Sequence, residues 1–392
     1  MCSSRAATGV AVATLVVLST LAEPALAQPA RRCGDHVRRE GRTFRVLPTD
    51  VDDTDNLQCA FDQATLAGPG TTVRLVAGSY ITRQIVIRDF HGAFRGQGAD
   101  ETIVTNPEEP MPVAKTEWYL APPSPEQPWP MLFSVLHSAI TVSDATFRIR
   151  GAAPLQDWTG GAECGTEGSV PCVNDLAAVF FVGPDWTSPD RNEGSATFRR
   201  VVVEGERNET LWPEMGGSYF GYNAISGIYA FGNPLRGTLR LSSSTVRSIY
   251  DAVQVAVLSD SGVSVRRNVF DDVGGATFGE LKGSWLDFAY NEVRVSPDQR
   301  APVGLWLHDY VDGFESSNLL VRHNVFEGPI GIQITATFKD DVNCLLYDND
   351  VVRVTGIGIR LGPATRGCRV LGTPRDRVVD EGTGNVIGRR RR

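Results

Sequence analysis

The stretch VSVRRNVF (263–270) recurs along the chain with the same pattern of residues. Four further segments align with it without gaps: LRLSSSTV (239–246), LDFAYNEV (286–293), LLVRHNVF (319–326) and CLLYDNDV (344–351). Apolar residues fill the first, third and eighth columns, which is typical of a strand with one buried face. The sixth column holds Ser244 and then Asn268, Asn291, Asn324 and Asn349. Because asparagine tolerates the left-handed conformation, we predict that this column marks a tight bend.

The spacing of the sixth column indicates how the repeats are arranged. Successive members are 24, 23, 33 and 25 residues apart, and weaker copies of the pattern occur at 140–147 and 196–203. A period near 24 residues is too short for a strand, a long helix and a second strand. It fits one coil of three short strands and three turns, and stacked coils would place each asparagine above the last as a ladder.

These asparagine-ladder repeats resemble the right-handed parallel β-helix of the pectin-lyase-like superfamily. Residues 52–98 look like the amphipathic capping helix and first coils of that superfamily. The resemblance implies an all-β solenoid over residues 28–388, with an N-terminal cap at 28–70. It does not imply one activity, since the superfamily includes lyases, hydrolases, esterases, epimerases and non-catalytic surface proteins.

The first 27 residues are typical of a secretory signal sequence, with Arg5 before an apolar stretch and a small-x-small site ending at Ala27. The apolar stretch is too short to span a membrane, and no later stretch is long enough. We therefore expect a secreted or periplasmic protein cleaved near Ala27. The C-terminal run of arginines, 389–392, is expected to be a solvated basic tail.

Removing the signal sequence removes Cys2 and leaves six cysteines, an even number that favours disulfides in an exported chain. Cys368 begins CRVLGTP (368–374), which continues the alignment, so it shares a column with Cys344. Neighbouring coils are about 4.8 Å apart, which suits a disulfide, and we predict Cys344–Cys368. Two further predicted pairs are Cys33–Cys59, which would tie the N-terminal segment to the cap, and Cys164–Cys172. The alternative is buried unpaired thiols.

A second strand follows each asparagine bend, and one residue in each should point outward. These positions are Tyr229, Gln254, Thr277, Trp306, Gln333 and Arg360, followed two residues later by Phe231, Ala256, Gly279, His308, Thr335 and Gly362. Stacked coils would align them on one face. Aromatic rings stack on apolar sugar faces and amides bond hydroxyl groups, so we predict a sugar-binding groove whose main contacts are Tyr229, Phe231, Gln254, Trp306 and Gln333. The alternative is an ordinary exposed sheet.

The coil between Asn291 and Asn324 is about nine residues longer than the others, and extended loops on a solenoid usually carry function. It contains His308 and Asp309. Glu280 follows Thr277 by three residues, as Asp309 follows Trp306, so Glu280 should occupy the equivalent position one coil away from Asp309. Such a carboxylate pair would bind Ca²⁺ or raise one pKa so that the group acts as an acid. His308 would be the base, and Lys282 or Arg360 would neutralise a substrate carboxylate. The alternative is a loop histidine among solvated turn acids.

Catalytic motifs of the superfamily do not transfer to this chain. WLHD (306–309) departs from the pectate-lyase element WxDH, and HDYVD (308–312) departs from the epimerase motif DPHD. The polygalacturonase motifs are absent from the sequence. The catalytic candidates therefore remain His308, Asp309, Glu280, Lys282 and Arg360, without a known set to match.

Three segments interrupt the repeat and should leave the solenoid as loops: the proline-rich 107–130, then 151–175 with Cys164 and Cys172, and the aromatic-rich 205–224. The aromatic residues of the third segment precede Tyr229, the start of the predicted groove. They would either form a groove wall or shield the flank of the solenoid.

The composition limits the partners. The chain has 392 residues and a net charge of −8, which argues against nucleic-acid binding. Only three lysines occur, and the predicted groove offers Lys282, Lys339 and Arg360 as cations, which favours a neutral or lightly charged glycan.

We therefore expect a monomeric polysaccharide-binding protein that also cleaves the polymer, as a lyase or glycoside hydrolase. The alternative is a non-catalytic surface or envelope protein that binds glycan through the same groove. A third class, a phage-like or adhesin solenoid, would form trimers.

Overall fold

The computed structural model describes residues 33–107, 131–150, 176–184, 193–207, 222–235, 237–258, 262–279, 285–297, 302–308, 318–335 and 344–388. The predicted signal sequence, the segments 108–130 and 151–175, and the basic tail lie outside these residues.

The elements are short strands and one α-helix within the described part of the chain, together with a 3-10 helix at Arg375–Arg377. In chain order they are β1 (Val37–Glu40), β2 (Thr43–Val46), α1 (Thr54–Leu66), β3 (Thr71–Leu75), β4 (Gly78–Ile81), β5 (Ile85–Arg88), β6 (His91–Arg95), β7 (Thr102–Thr105), β8 (Met131–Leu136), β9 (Ala139–Ser143), β10 (Thr146–Arg148), β11 (Leu176–Gly183), β12 (Ser195–Arg199), β13 (Val202–Glu204), β14 (Ala224–Leu235), β15 (Thr238–Ser242), β16 (Thr245–Leu258), β17 (Gly262–Arg266), β18 (Val269–Gly279), β19 (Trp285–Ala289), β20 (Glu292–Val295), β21 (Val303–His308), β22 (Leu319–Arg322), β23 (Val325–Thr335), β24 (Cys344–Tyr347), β25 (Asp350–Leu361), β26 (Arg369–Leu371), β27 (Val378–Asp380) and β28 (Val386–Gly388).

The strands stack into a right-handed parallel β-helix, which confirms the predicted fold. One sheet has the order β1-β2-β3-β6-β9-β12-β15-β17-β19-β22-β24-β26-β28, and all its pairings are parallel except that of β1 with β2. The second sheet holds the strands that follow each asparagine bend. Leu239, Val263, Leu286, Leu319 and Cys344 pair in register from coil to coil, as the sequence alignment predicted.

The asparagine ladder is present, but its conformational role differs from the prediction. The left-handed residue is the one before each ladder position, and the asparagines themselves do not have positive φ. Tyr290, for example, has a φ of 59°, while Asn291 is buried and donates from Nδ2 to the Val265 carbonyl at 2.9 Å. Asparagine is therefore required here because its amide satisfies backbone groups that the bend leaves unpaired.

The core is continuous along the coils and is filled by the inward side chains of both sheets. Phe270, Phe288 and Phe326 stack one above the other, with ring centroids 6.1 and 6.2 Å apart. Offset stacks of this kind add to the burial energy, because each ring contacts the ring in the next coil.

Helix α1 covers the N-terminal end of this core. Phe61 contacts Phe90 and Phe94 edge-on, at centroid distances of 5.4 and 5.1 Å. The Gln58 side chain pairs with the backbone of Val86 in β5, accepting from its N–H at 2.9 Å and donating to its carbonyl at 2.7 Å. The helix therefore covers the first coils and also satisfies backbone groups at a strand edge.

Two of the three predicted disulfides are confirmed. Cys33–Cys59 joins the N-terminal segment to α1 with a Cα separation of 5.7 Å, and Cys344–Cys368 joins adjacent coils at 4.5 Å. The predicted Cys164–Cys172 pair lies outside the described residues.

Candidate functional site

The outward row predicted on the second sheet exists as a column of residues in register. It runs through Val86, Ser134, Phe181, Tyr229, Gln254, Phe278, Trp306, Gln333, Arg360 and Val379. We call its part from Tyr229 to Arg360 the aromatic–amide stripe. Tyr229, Gln254, Trp306 and Gln333 are all partly exposed, so their side chains are available to a ligand.

One predicted member of this column was wrong. Thr277 is buried and pairs with Val253 and Leu305, while Phe278 is the residue in register with Gln254 and Trp306. Ala276 and Thr277 are successive residues of β18 and both are buried, so simple alternation fails there.

The same shift changes two further predictions. Gly279 pairs with Leu307 and Val255, so it does not share a column with His308. The predicted equivalence of Glu280 and Asp309 was counted from Thr277. Because Thr277 is not in register with Trp306, that count no longer supports the equivalence. Glu280, Lys282 and Asp309 themselves lie outside the described residues.

His308 lies beside the stripe at the end of β21 and pairs with Thr335. Its ring centroid is 5.1 Å from that of Trp306, whose Nε1 donates to Thr335 Oγ1 at 3.1 Å. Only 7% of His308 is exposed, and burial lowers its pKa from 6.5 to about 4 because the charged form loses its solvation. The imidazole is therefore neutral at pH 7, and burial makes it a weaker base than a solvated imidazole. Phe231, two residues after Tyr229, pairs with Ala256 as predicted.

The N-terminal continuation of the column is covered. Met131, Leu136, Ala178 and Phe181 form a buried apolar cluster on this outer face, separate from the core, and Tyr229 packs against it. The Phe181 and Tyr229 rings meet edge-on at 5.8 Å. The accessible stripe therefore begins at Tyr229, a limit that the repeat alignment did not reveal.

Another column, not predicted from the sequence, precedes the stripe on the same strands and contains Ser226, Asp251 and Gly275 in register, all of them buried. Ser226 Oγ donates to Gln254 Oε1 at 2.6 Å, so the Ser226 side chain contacts the stripe. Only 7% of Asp251 is exposed, and burial raises its pKa to about 8. The available sequence signal was the lone carboxylate in YDAVQVAV (250–257).

The described ends of the predicted excursion at 205–224 lie on the flank of these strands. Arg207 and Tyr222 form an antiparallel bridge at its base, and residues 208–221 lie outside the described part. Arg207 Nε donates to both oxygens of Asp272 at 2.9 Å, and Arg207 also bonds to Ser296 Oγ. The base of the excursion is therefore fastened across several coils.

Arg360, at the C-terminal end of the stripe, forms an ion pair. Its guanidinium contacts the Glu381 carboxylate at 3.1 Å, and both side chains are partly exposed. The candidate that would neutralise a substrate carboxylate is thus already paired with an acid.

Another titratable pair lies near the N-terminal coils, where His137 Nδ1 is 2.7 Å from Asp89 Oδ1. Both residues have positive φ, at 44° and 54°. His137 lines a cavity of about 350 Å³ together with His91, Glu193 and Ser195. Sequence reasoning did not select this pair, because it lies outside the five aligned segments.

Within the described ranges, no group of three or more His, Cys, Asp or Glu side chains is arranged to hold a metal ion. Glu280 and Asp309 are not among the residues searched, so Ca²⁺ binding by that pair stays a prediction. None of the described helices has the length and apolar character needed to cross a membrane.

No protein-family model and no curated protein matches the chain. Among solved structures, it is similar to the tailspike protein gp49 of Acinetobacter baumannii bacteriophage Fri1, a capsular polysaccharide depolymerase, with 12% identity and a TM-score of 0.46. That match covers 90% of this chain but only 59% of the tailspike.

The chain is also similar to the A-modules of two mannuronan C-5 epimerases from Azotobacter vinelandii. The AlgE4 module is 13% identical, with a TM-score of 0.37. That match covers 87% of this chain and 88% of the module. The AlgE6 module is 12% identical, with a TM-score of 0.31. That match covers 86% of this chain and 96% of the module. At these identities the likeness concerns the fold alone.

Proposed function

We propose that this protein is exported, binds an extended polysaccharide along the aromatic–amide stripe and cleaves it as a lyase or glycoside hydrolase. The observation that carries the proposal is the row of partly exposed aromatic and amide side chains, in register over successive coils. Such a row offers ring faces and hydrogen-bonding groups at a regular spacing of about 4.8 Å, which suits a polymer better than a small ligand.

The catalytic part of the proposal is centred on His308, which is neutral at pH 7 and contacts Trp306. Asp309, Glu280 and Lys282 complete the proposed set from the neighbouring segments. The second candidate function is binding without cleavage, which the pairing of Arg360 with Glu381 favours because it removes one candidate neutraliser.

Binding is tested with two polysaccharide panels, one neutral (dextran, xylan, galactomannan) and one acidic (polygalacturonate, alginate, hyaluronan). We expect Trp306→Ala to weaken binding at least about tenfold, as for a buried aromatic contact at the centre of an interface. The matched control is Tyr290→Ala, because Tyr290 is 47% exposed but lies at an asparagine bend away from the stripe. Equal binding by wild type and the Trp306 variant would overturn the stripe as the binding surface.

Cleavage is followed by the absorbance of unsaturated uronates and by new reducing ends, with and without Ca²⁺. Product that persists at the wild-type rate in both His308→Ala and Asp309→Ala would overturn the proposed catalytic set. Binding without product from any polymer would instead establish the non-catalytic function.

A further inference from the structure

The outward face of the first sheet carries a column of arginines that was not predicted from the sequence. Pairing in register from β1 to β17 brings into one line Arg38, Arg45, Arg74, Arg95, Arg199 and Arg266, with serine at the other two positions. Neighbouring positions are about 4.8 Å apart. The first four strands in the order of this sheet therefore present four arginines side by side.

A second column lies two residues earlier on the same strands and points to the same side of the sheet. From β2 to β17 it consists of Thr43, Thr72, Thr141, Thr197, Arg240 and Ser264, with alanine at the remaining position. We call the two columns together the arginine face. Neither column holds an acidic residue between β2 and β17, so guanidinium groups share this face with threonine and serine hydroxyls.

Most arginines of this face lack a carboxylate partner. Five of them are exposed and form no ion pair with any residue in the described ranges: Arg38, Arg74, Arg95, Arg199 and Arg240. Only the other two are paired there, Arg45 with Glu40 of β1 at 3.5 Å and Arg266 with Asp287 of β19. The arginine face therefore keeps an excess of positive charge.

One further carboxylate lies at the edge of the face but belongs to another arginine. Asp144 follows Ser143, which stands between Arg95 and Arg199 in the column. Its two oxygens accept from Arg200 Nε and Nη2 at 2.6 and 2.9 Å, and this hydrogen bonding lowers the pKa of Asp144. Asp144 thus neutralises Arg200, which is outside the two columns.

An outward column of the second sheet shows that stacking by itself does not collect arginines. There the sign of the charge alternates from coil to coil, in the order Arg148, Glu204, Arg247, Asp271, Arg294 and Glu327. Glu204 contacts the arginines on both sides of it. Like charges directly opposite each other destabilise a sheet, and alternation avoids that cost. The arginine face accepts the repulsion, which an anionic ligand would relieve.

We propose that the arginine face is a second binding surface, which holds an acidic polysaccharide with its carboxylate or sulfate groups along the arginine column. A guanidinium group presents paired N–H donors that match such oxyanions, and the neighbouring hydroxyls bond to sugar hydroxyls. One cation position per coil suits a linear polymer with regularly spaced charges. The surface is independent of the aromatic–amide stripe, because it lies on the other sheet.

The composition of the face favours a glycan over a nucleic acid. Its two columns contain no aromatic ring on which a base could stack. The whole chain has a net charge of −8, which opposes a partner as densely charged as a DNA duplex beyond this narrow face. The threonine and serine hydroxyls instead match the hydroxyl groups of sugars.

The test compares wild type with the double variant Arg74→Gln/Arg95→Gln, which removes two adjacent unpaired charges. The control is Arg353→Gln/Arg375→Gln, because it changes the net charge equally at two exposed arginines outside the face. Arg353 is the next member of the alternating column, opposite Glu327. Calorimetric titration with polygalacturonate, heparin, dextran and duplex DNA measures binding, and circular dichroism checks the folding of both variants.

We expect wild type to bind polygalacturonate or heparin, more weakly as the salt concentration rises. Arg74→Gln/Arg95→Gln should weaken that binding at least about tenfold, whereas the control should stay within about twofold of wild type. The bound polymer should raise the midpoint of thermal unfolding of wild type and of the control more than that of the Arg74/Arg95 variant. Without polymer, the Arg74/Arg95 variant should be at least as stable as wild type, because it relieves repulsion.

Three results would overturn the proposal. Wild type could bind neither polygalacturonate nor heparin, the two double variants could lose the same affinity, or duplex DNA could bind as tightly as the acidic polysaccharides. Equal loss would mean that only the overall charge matters. Binding of dextran reports on the aromatic–amide stripe, so failure of the arginine face and failure of the proposed function are distinguishable.

Discussion

At the scale of single residues, the bends of the coils depend on buried amide groups. Asn291 Oδ1 accepts from both the backbone N–H and the Nδ2 of Asn268 at 3.0 Å, and Asn291 Nδ2 donates to the Val265 carbonyl. One side chain thus satisfies groups from two other positions, and those groups have no access to water.

Asn291→Ala should lower the free energy of unfolding by about 2–4 kcal/mol, because it leaves buried donors and acceptors unpaired. Asn318→Ala is the control, since Asn318 is exposed, and should change stability by less than about 0.5 kcal/mol. Urea denaturation measures both. Equal stability of the two variants would show that the ladder contributes little.

Burial of His308 predicts a loss of stability in acid. Its pKa is about 4 in the folded protein against 6.5 ordinarily, so the unfolded chain binds the proton more tightly between these values. Stability should therefore fall as the pH drops from about 6.5 to about 4, and His308→Gln should reduce that fall. A parallel pH dependence of stability in both proteins would contradict this prediction.

Burial of Asp251 predicts the opposite dependence of stability on pH. Its pKa is raised from 3.8 to about 8 on folding, so the folded protein keeps a proton that the unfolded chain releases. The contribution of Asp251 to stability is fully present below about pH 4 and is lost as the pH rises toward 8. Denaturation of Asp251→Asn should show an advantage over wild type that grows across this range. A constant difference between them would place the carboxyl pKa near its ordinary value.

At the scale of elements, each strand is held mainly by its neighbours in adjacent coils. Gly304 illustrates how closely the coils approach: a Cβ there would lie 2.6 Å from both the Gly331 carbonyl oxygen and Phe326 Cδ1. The disulfide Cys344–Cys368 links β24 to the segment before β26, and both cysteines are buried.

Replacing both Cys344 and Cys368 by serine should cost about 3 kcal/mol, because the bond closes a loop with a sequence separation of 24 residues. Thermal unfolding with and without reductant measures the loss. The control is that reductant should not destabilise this variant as much as wild type. If it does, the stabilising bond lies elsewhere.

At the scale of the whole solenoid, the two ends of the described core differ. The N-terminal coils are covered by α1 and tied by Cys33–Cys59, whereas Val379 of β27 and Val386 of β28 are exposed. In a stack that depends on neighbour contacts, a coil with one uncovered side opens first.

Hydrogen exchange should therefore be faster in β26–β28 than in β3 and β6, which lie at the other end of the same sheet. The middle strands β15, β17 and β19 should be the most protected. Faster exchange in β3 and β6 than in β28 would show that α1 does not stabilise the coils that it covers.

The sequence alone determined the coil, the register of the first sheet and two disulfides. Apolar residues two apart and a polar residue every 23 to 33 positions leave few other ways to bury one face, and Cys344 and Cys368 occupy one column of that register. The outward positions of Tyr229, Gln254, Trp306, Gln333 and Arg360 followed from the same alternation.

Only the tertiary structure decided the details of the site. Thr277 is buried together with its neighbour Ala276, and strict alternation along a strand does not predict two successive buried residues. The charge states of Asp251 and His308 depend on burial by residues distant in the chain, and so does the covering of Phe181. Burial is a property of the assembled coils, because the atoms that exclude water from a side chain come from segments that meet only on folding.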